Sequence, residues 1–197
     1  MSTYFSHFPT VKYNNTSVRD ITRRAKFIET LQSNPYLFLP YTVKEGEKPE
    51  DIAFNYYGTV DATWLVLLAN NMIDPYTDWP MSYDLFVEYL IGKYSALSNK
   101  KGYDVIAWLQ DTTSFDNILY YYRTSESGIE VKVSPDTFPA LYDDQNNIVE
   151  RNVPTGWTPM RIYDYENAKN ENNREILVVE RRYFEQIREE FKELIVK

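Results

Sequence analysis

The chain contains no cysteine and only one histidine among its 197 residues. The absence of cysteine excludes disulfide scaffolds, thiol nucleophiles and thiolate-bound zinc or iron–sulfur clusters. One imidazole cannot build a site that needs two, and we interpret His7, in a Phe- and Pro-rich segment, as structural or exposed. With six glycines, the chain also lacks a phosphate-cradling glycine loop and a Gly-x-Ser-x-Gly motif. The sequence therefore predicts no enzyme, no cofactor and no metal ion.

Positive charge is also scarce, because 21 Lys and Arg residues stand against 29 Asp and Glu residues, a formal charge of −8. Nucleic-acid binding requires a basic surface, so this balance argues against a general nucleic-acid binder. We interpret the short basic run at residues 23–26 as a solvated face. The longest apolar run, residues 64–69, is too short to span a membrane, and the N-terminus lacks the features of a secretory signal. We expect a soluble protein made in the cytoplasm, with no nucleic-acid, membrane or small-molecule partner.

Aromatic residues, in contrast, are abundant: 18 Tyr, 10 Phe and 4 Trp residues make up 16% of the chain. Tyr and Trp combine a large apolar surface with a polar tip and are enriched in protein interfaces. Core packing is the alternative explanation, and we favour it for Trp64. For a good share of the others we predict contacts within a permanent assembly.

The pattern of apolar residues predicts an α+β fold in four segments. Residues 1–40 form an N-terminal arm with a short hairpin and a helix that starts near Thr22. Residues 41–94 form a small core of one strand and three helices. Residues 95–160 hold a β-hairpin and a proline-rich irregular segment, and residues 161–197 hold a strand and an amphipathic helix.

Turn and capping residues predict where individual elements begin and end. Pro49 suits the first position of the first core helix, and Gly58 suits its left-handed end. Asp61 and Ser82 are predicted to cap the second and third helices. Extended runs are predicted at residues 10–13, 17–21, 36–40, 41–44, 104–109, 118–123, 129–133, 161–165 and 175–179, and the final helix at residues 183–195.

Two sets of oxygen-bearing side chains invite a chemical interpretation. Asp74 and Asp78 flank aromatic residues, as in a sugar-binding cleft, and a glycosidase needs only two carboxylates. Because Asp-Pro pairs are common in turns, we favour a turn at this place. The acidic and amide residues of 143–147 offer oxygen ligands for Ca²⁺ but lack the spaced ligand loop of known calcium sites. We interpret that stretch as a solvated loop.

The core segment resembles a LysM module in the runs YTVKEGE (41–47), PEDIA (49–53), YYG (56–58) and WLVLLAN (64–70). LysM modules bind N-acetylglucosamine polymers such as peptidoglycan, and the resemblance implies this binding as one possible function. Two features depart from the usual module. Residues 47–49 replace its Asp-Thr-Leu, and no closing strand is evident after Trp79, where the sequence predicts a helix.

A second resemblance covers more of the chain. Residues 8–94 and 161–195 are similar to the LysM-like baseplate wedge subunit of T-even-type contractile-tailed bacteriophages, in the runs DITRR (20–24), NPY (34–36), FLPY (38–41), EKPEDIA (47–53), DPYTDWP (74–80) and YDYEN (163–167). It implies a non-catalytic structural role in the tail baseplate of the virion, after assembly in the host cytoplasm. The implied partners are the other wedge subunits, including the sheath-initiating lysozyme-like subunit and the large wedge-scaffold subunits. Neighbouring wedges would close into a ring around the tail hub.

Eight side chains are the candidates for protein contacts. They are Tyr57, Trp64, Asn70, Asn71, Tyr76, Trp79, Tyr120 and Tyr122. The first six are expected near one end of the LysM-like core. The arms at residues 1–40 and 95–160 are expected to lie on neighbouring subunits.

Overall fold

The computed structural model describes residues 8–22, 36–146 and 148–196, with the backbone alone for Val196. His7, the basic run at residues 23–26 and the helix predicted after Thr22 lie outside the described residues. The described part combines helices with sheets, which confirms the α+β class. It divides into two compact units, unit 1 with the described residues of 1–81 and 173–197 and unit 2 with those of 82–172.

Antiparallel strand pairs and helices alternate along the described residues. The strands are β1 (Thr10–Tyr13), β2 (Thr16–Arg19), β3 (Phe38–Thr42), β4 (Ile118–Thr124), β5 (Glu130–Val133), β6 (Ala140–Tyr142), β7 (Ile148–Arg151), β8 (Thr158–Arg161) and β9 (Glu175–Val179). They form sheets of order β1-β2, β3-β9, β5-β4-β8 and β6-β7. The α-helices are α1 (Pro49–Ile52), α2 (Thr63–Ala69), α3 (Pro75–Asp78), α4 (Tyr83–Ser98), α5 (Tyr103–Gln110), α6 (Ile162–Asn172) and α7 (Phe184–Val196). A π-helical turn covers Ala53–Tyr57, and 3₁₀ turns cover Val60–Ala62, Pro135–Thr137 and Arg181–Tyr183.

Unit 1 is built on a two-stranded sheet whose strands are far apart in the sequence. Strand β3 pairs with β9 in antiparallel register, with Phe38 opposite Val179 and Thr42 opposite Glu175. Both strands were predicted, but their pairing was not. The strand that pairs with β3 thus comes from residues 175–179, more than 100 residues further along the chain, and not from the residues just after Trp79.

The core of unit 1 lies between this sheet and the first two helices. Leu65 and Val66 of α2 are fully buried, and Ile52 of α1 and Val178 of β9 are almost as inaccessible. Each such side chain removed from water contributes about 1.5–3 kcal/mol of hydrophobic free energy before conformational entropy is counted. This burial holds α2 against β9 and so positions the loop that follows α2.

The N-terminal hairpin forms as predicted. Strands β1 and β2 pair about Asn14 and Asn15, whose φ angles of 45° and 61° are left-handed. Asn accepts this conformation more readily than most residues, and two such residues in succession suit a tight hairpin turn. Every residue of both strands is exposed. The segment is anchored before β1 by Phe8, which is 1% exposed and packs on Phe191 and Ile195 of α7.

The first core helix begins and ends at the predicted residues. Pro49 occupies its first turn, the π-helical turn carries it to Tyr57, and Gly58 ends it with a left-handed φ of 82°. The prediction that Asp61 caps the next helix is wrong. The cap is Thr59, whose hydroxyl accepts a hydrogen bond from the backbone N–H of Asp61, because the helical turn already starts at residue 60.

The start of unit 2 is more helical than the sequence pattern suggested. Residues 104–109 were predicted to be extended but lie in α5, where Val105, Ile106 and Leu109 are buried at helical spacing. Their β-branched content favoured a strand, and burial of one helix face overrode it. Helix α4 likewise runs on to Ser98, beyond residue 94, where the predicted core segment ends.

The sheet of unit 2 contains the predicted hairpin, with Tyr122 of β4 opposite Lys132 of β5. The stretch 135–159, expected to be irregular, instead holds the hairpin β6–β7 and the start of β8, which pairs with β4. Pro159 lies in β8, an edge strand, and edge strands are the place where a sheet accepts proline. The prediction of a strand at residues 161–165 is also wrong, since α6 begins at Ile162.

Candidate protein interface

Tyr57 lies inside unit 1. It is 5% exposed, its hydroxyl donates to the carbonyl of Val179 at 2.8 Å, and its ring packs on Phe184 with centroids 5.2 Å apart. Burial raises the pKa of this hydroxyl above its ordinary value, the charge of Tyr56 adds to the rise, and the bond to Val179 opposes it. Tyr57 therefore ties the first helix to β9.

Trp79 is buried as well, at 8% exposure. Its indole N–H donates to the carbonyl of Glu47 at 2.8 Å. The Glu47 carboxylate in turn accepts from the Tyr41 hydroxyl at 2.8 Å and from the Lys44 backbone N–H at 3.0 Å. Burial, followed by the hydrogen bond and charge of Glu47, raises the pKa of Tyr41 to about 12. This cluster joins the loop before α1 to the loop after α3.

Trp64 is half-buried on the outer side of α2. Its ring stacks on Phe191 of α7 with centroids 4.5 Å apart and an interplanar angle of 28°. Phe8 packs edge-on against the same phenylalanine at 6.4 Å. Trp64 therefore serves the packing that joins α2, α7 and the N-terminal segment.

Asn70 bonds through its side chain to the backbone of β9, as a neighbouring strand would do through its own backbone. Its side-chain amide donates to the carbonyls of Val66 and Leu177, both at 2.8 Å, and its carbonyl accepts from the Leu177 N–H at 2.7 Å. Asn71, the next residue, is exposed and has a left-handed φ of 53°. The two asparagines thus end α2 and fix its end to the sheet.

Replacing Asn70 with alanine should lower the free energy of unfolding by about 2 kcal/mol, because the partly buried amide and carbonyl of Leu177 lose their partner. Urea unfolding followed by circular dichroism measures this loss. Asn55→Ala is the matched control, because Asn55 is exposed on the π-helical turn. An equal effect of the two substitutions would contradict the role assigned to Asn70.

Tyr76 stands apart from the buried candidates, since it is 88% exposed. It belongs to α3, the single turn of helix between Asp74 and Trp79. Asp74 and Asp78, considered above as a catalytic pair, accept hydrogen bonds inside this turn. Asp74 accepts from the Tyr76 N–H at 3.1 Å, and Asp78 accepts from the Ile73 N–H at 2.9 Å. The two carboxylates thus act as the turn residues that we favoured.

Tyr120 and Tyr122 lie half-buried on one face of the unit 2 sheet. The ring of Tyr120 meets Tyr122 and Tyr165 of α6 edge-on, each at 6.3 Å between centroids. The Lys132 ammonium lies 4.9 Å from the centroid of the Tyr120 ring. Unit 2 therefore presents a patch of tyrosines with polar tips and one cation.

Sequence reasoning missed a buried carboxylate in unit 2. Glu166 of α6 is 4% exposed and accepts from Lys93 at 2.7 Å, Tyr94 at 2.5 Å and Tyr89 at 3.3 Å, all on α4. Burial opposes its ionisation, but the hydrogen bonds from Lys93 and Tyr94 outweigh burial and lower the pKa of Glu166. The available signal was the spacing of Ile162, Glu166 and Asn170, four residues apart on one helix face.

Sequence reasoning also missed Asn117, whose side chain is fully buried. The Asn117 amide donates to the carbonyls of Trp108, Leu109 and Asp111 at 2.8, 3.3 and 2.7 Å, and its side-chain oxygen accepts from Arg161 at 2.5 Å. The side chain therefore satisfies the last carbonyls of α5 and links them to β8. No spacing rule signals such a residue in a loop.

The described residues contain no group of three or more His, Cys, Asp or Glu side chains placed to hold a metal ion. Across the same part of the chain, no helix has the length and apolar character needed to cross a membrane.

Comparison with known proteins identifies the family. The sequence profile described as "Base plate wedge protein 53" matches residues 4–194. The chain is 23% identical over 146 residues to the protein named "Baseplate wedge protein gp53" of Enterobacteria phage T4. This match covers 73% of the chain and 66% of the phage T4 protein, just under two thirds of that relative's length. With the profile spanning nearly all of its residues, the chain belongs to the base plate wedge protein 53 family.

Proposed function

We propose that the chain is a structural subunit of a bacteriophage tail baseplate wedge, located in the virion. The match of the family profile to residues 4–194 carries this proposal, and the name of the phage T4 relative agrees with it. The polar clusters of the fold support a non-catalytic role. Asn70, Asn117 and Glu166 all bond to groups of the same chain and hold its own elements together.

The finer part of the proposal is that the subunit joins other wedge proteins and promotes closure of the ring around the tail hub. Its partners would be the sheath-initiating lysozyme-like subunit, the large wedge-scaffold subunits and the neighbouring wedges, with assembly in the host cytoplasm. The exposed Tyr76 and the tyrosine patch at Tyr120 and Tyr122 support contacts of this kind, because tyrosine supplies much interface area at a low entropic cost.

Co-expression with the other wedge proteins of the same phage tests both parts. The subunit should co-purify with wedges, and closed rings should form only when it is present, as seen by negative-stain electron microscopy. Complete rings formed without the chain would refute the role in closure. A chain that enters no wedge would refute the structural role itself.

Peptidoglycan binding by a LysM-like core is the alternative. Within unit 1, the helices α1 and α2 follow β3, and β3 pairs with β9, an arrangement that favours this alternative. Two loops of this core are, however, joined to each other by the bond from the Trp79 indole to the Glu47 carbonyl, which leaves that carbonyl occupied from within the chain. We therefore expect no retention on purified peptidoglycan. Retention that free chito-oligosaccharide reverses would support the alternative.

A further inference from the structure

Residues 70–80 follow α2, contain the single helical turn α3 and precede α4. Hydrogen bonds within this segment hold it in one shape, and we call it the 70–80 loop. Asp78 accepts from the N–H groups of Ile73 and Asp74 at 2.9 and 3.0 Å. Asp74 accepts from the Tyr76 N–H at 3.1 Å and from the Thr77 hydroxyl at 3.1 Å. The interior of the loop is therefore fixed before any partner arrives.

Both ends of the 70–80 loop are fixed to the rest of unit 1. At one end, Asn70 bonds to the backbone of Leu177 through both of its side-chain polar atoms. At the other, Trp79 is buried and donates to Glu47. The side chain of Asn173 also reaches the carbonyl of Thr77 at 3.5 Å. The loop is thus held at both ends as well as by its own hydrogen bonds.

The 70–80 loop exposes two large apolar side chains. Tyr76 is 88% exposed and Ile73 is 68% exposed, whereas Trp79 of the same loop is buried. An exposed aromatic side chain on a rigid backbone loses little conformational freedom when it binds, so more of its buried area is converted to affinity. Tyrosine in such a position has the properties of an interface hot spot.

The charge of the loop indicates the chemistry of its partner. Between residues 70 and 80 the charged side chains are Asp74 and Asp78, and the sequence contains no cation there. Both carboxylates belong to the same short segment as the exposed pair and accept hydrogen bonds from its backbone, Asp78 from Ile73 and Asp74 from Tyr76. A complementary surface therefore carries positive charge around an apolar centre.

We propose that Ile73 and Tyr76 dock together into an apolar pocket on another wedge protein, and that Lys or Arg side chains at the rim of this pocket face Asp74 and Asp78. This inference rests on the proposed wedge function and assigns it one contact surface. It adds Ile73, which the sequence did not single out, and separates Tyr76 from the buried candidates.

Co-expression of the full chain with the other wedge proteins of the same phage tests this surface. The variant is Ile73→Ser with Tyr76→Ser, and the control is Tyr103→Ser, because Tyr103 is 78% exposed in unit 2. The double variant should enter wedges at least ~10-fold less than the unaltered chain, as expected for loss of an anchor pair. Tyr103→Ser should enter normally. Thermal unfolding and intrinsic tryptophan fluorescence confirm that each variant is folded.

Ionic strength tests the charge of the rim. Dissociation of wedges that contain the unaltered chain should be accelerated several-fold between about 50 and 500 mM salt, because added ions screen exposed charge pairs. Normal entry of the double variant would overturn the docking surface while leaving the wedge function intact. Equal loss with Tyr103→Ser would overturn its specificity, and insensitivity to salt would overturn the basic rim. Failure of the unaltered chain to enter wedges would refute the wedge function itself.

Discussion

Replacing Asn117 with alanine should lower the free energy of unfolding by about 3–4 kcal/mol, the largest effect expected from a polar residue of unit 2. The side chain is fully buried and donates to three backbone carbonyls at the end of α5. Alanine leaves these carbonyls without their donor and Arg161 without one of its acceptors. Leaving buried polar groups unpaired costs more than the hydrogen bonds contribute when they are made. Denaturant unfolding monitored by circular dichroism measures the change.

Two further variants define the cause of the Asn117 effect. Asn152→Ala changes an exposed asparagine in the same unit and should alter stability by less than about 0.5 kcal/mol. Asn117→Asp keeps an acceptor for Arg161 but places a carboxylate oxygen against the carbonyls that the amide served, so it should be at least as destabilising as alanine at neutral pH. An aspartate variant as stable as the native chain would contradict the assigned bonding.

The second large effect concerns Glu166. Glu166→Leu should lower the free energy of unfolding by about 2–3 kcal/mol, because Tyr89, Tyr94 and Lys93 all lose their acceptor on α6. The loss stays below that of a fully buried ion pair because the Lys93 side chain is 43% exposed and recovers hydration. Glu88→Leu, at an exposed position of α4, is the control for substituting a glutamate in a helix.

The contribution of Glu166 should depend on pH. Its pKa is lowered in the folded state, so its charge stabilises the fold above the ordinary pKa of 4.5, and this stabilisation is lost as the pH falls through the folded value. The difference in stability between the native chain and Glu166→Leu should therefore shrink in acid. Unfolding at pH 7 and at successively lower pH values measures it, and a constant difference would contradict the ionic role.

Local structure in this protein follows closely from local sequence. Pro49 and Gly58 mark the two ends of the first helix, and the pair Asn14-Asn15 marks the hairpin turn, because each residue type suits the backbone angles found there. The pairs Glu185–Arg188 and Glu189–Lys192 on α7 join residues three positions apart, which face each other on a helix surface. Features set by neighbouring residues were therefore within reach of sequence reasoning.

Features set by distant residues were not. The residues around Asn70 give no signal that its side chain bonds to Leu177. Residues 104–109 are helical because one helix face is buried, although their β-branched residues favour a strand. The interface candidates show the same limit. Aromatic content placed Tyr57 and Tyr76 in one class, and only the fold separates the buried hydroxyl of the first from the exposed ring of the second.

The pairing of β3 with β9 has a consequence for how the protein is made. The hydrogen bond from the Thr42 hydroxyl to the Glu175 carboxylate joins residues 133 positions apart. At about 5–20 residues per second, a ribosome needs roughly 7–27 s to pass from one strand to the other. Unit 2 is a single continuous stretch and emerges completely in that interval, whereas unit 1 must wait with Leu65 and Val66 uncovered by β9. During synthesis the segment made first is thus the last to complete its core, and it is exposed to chaperones and to premature association for that time.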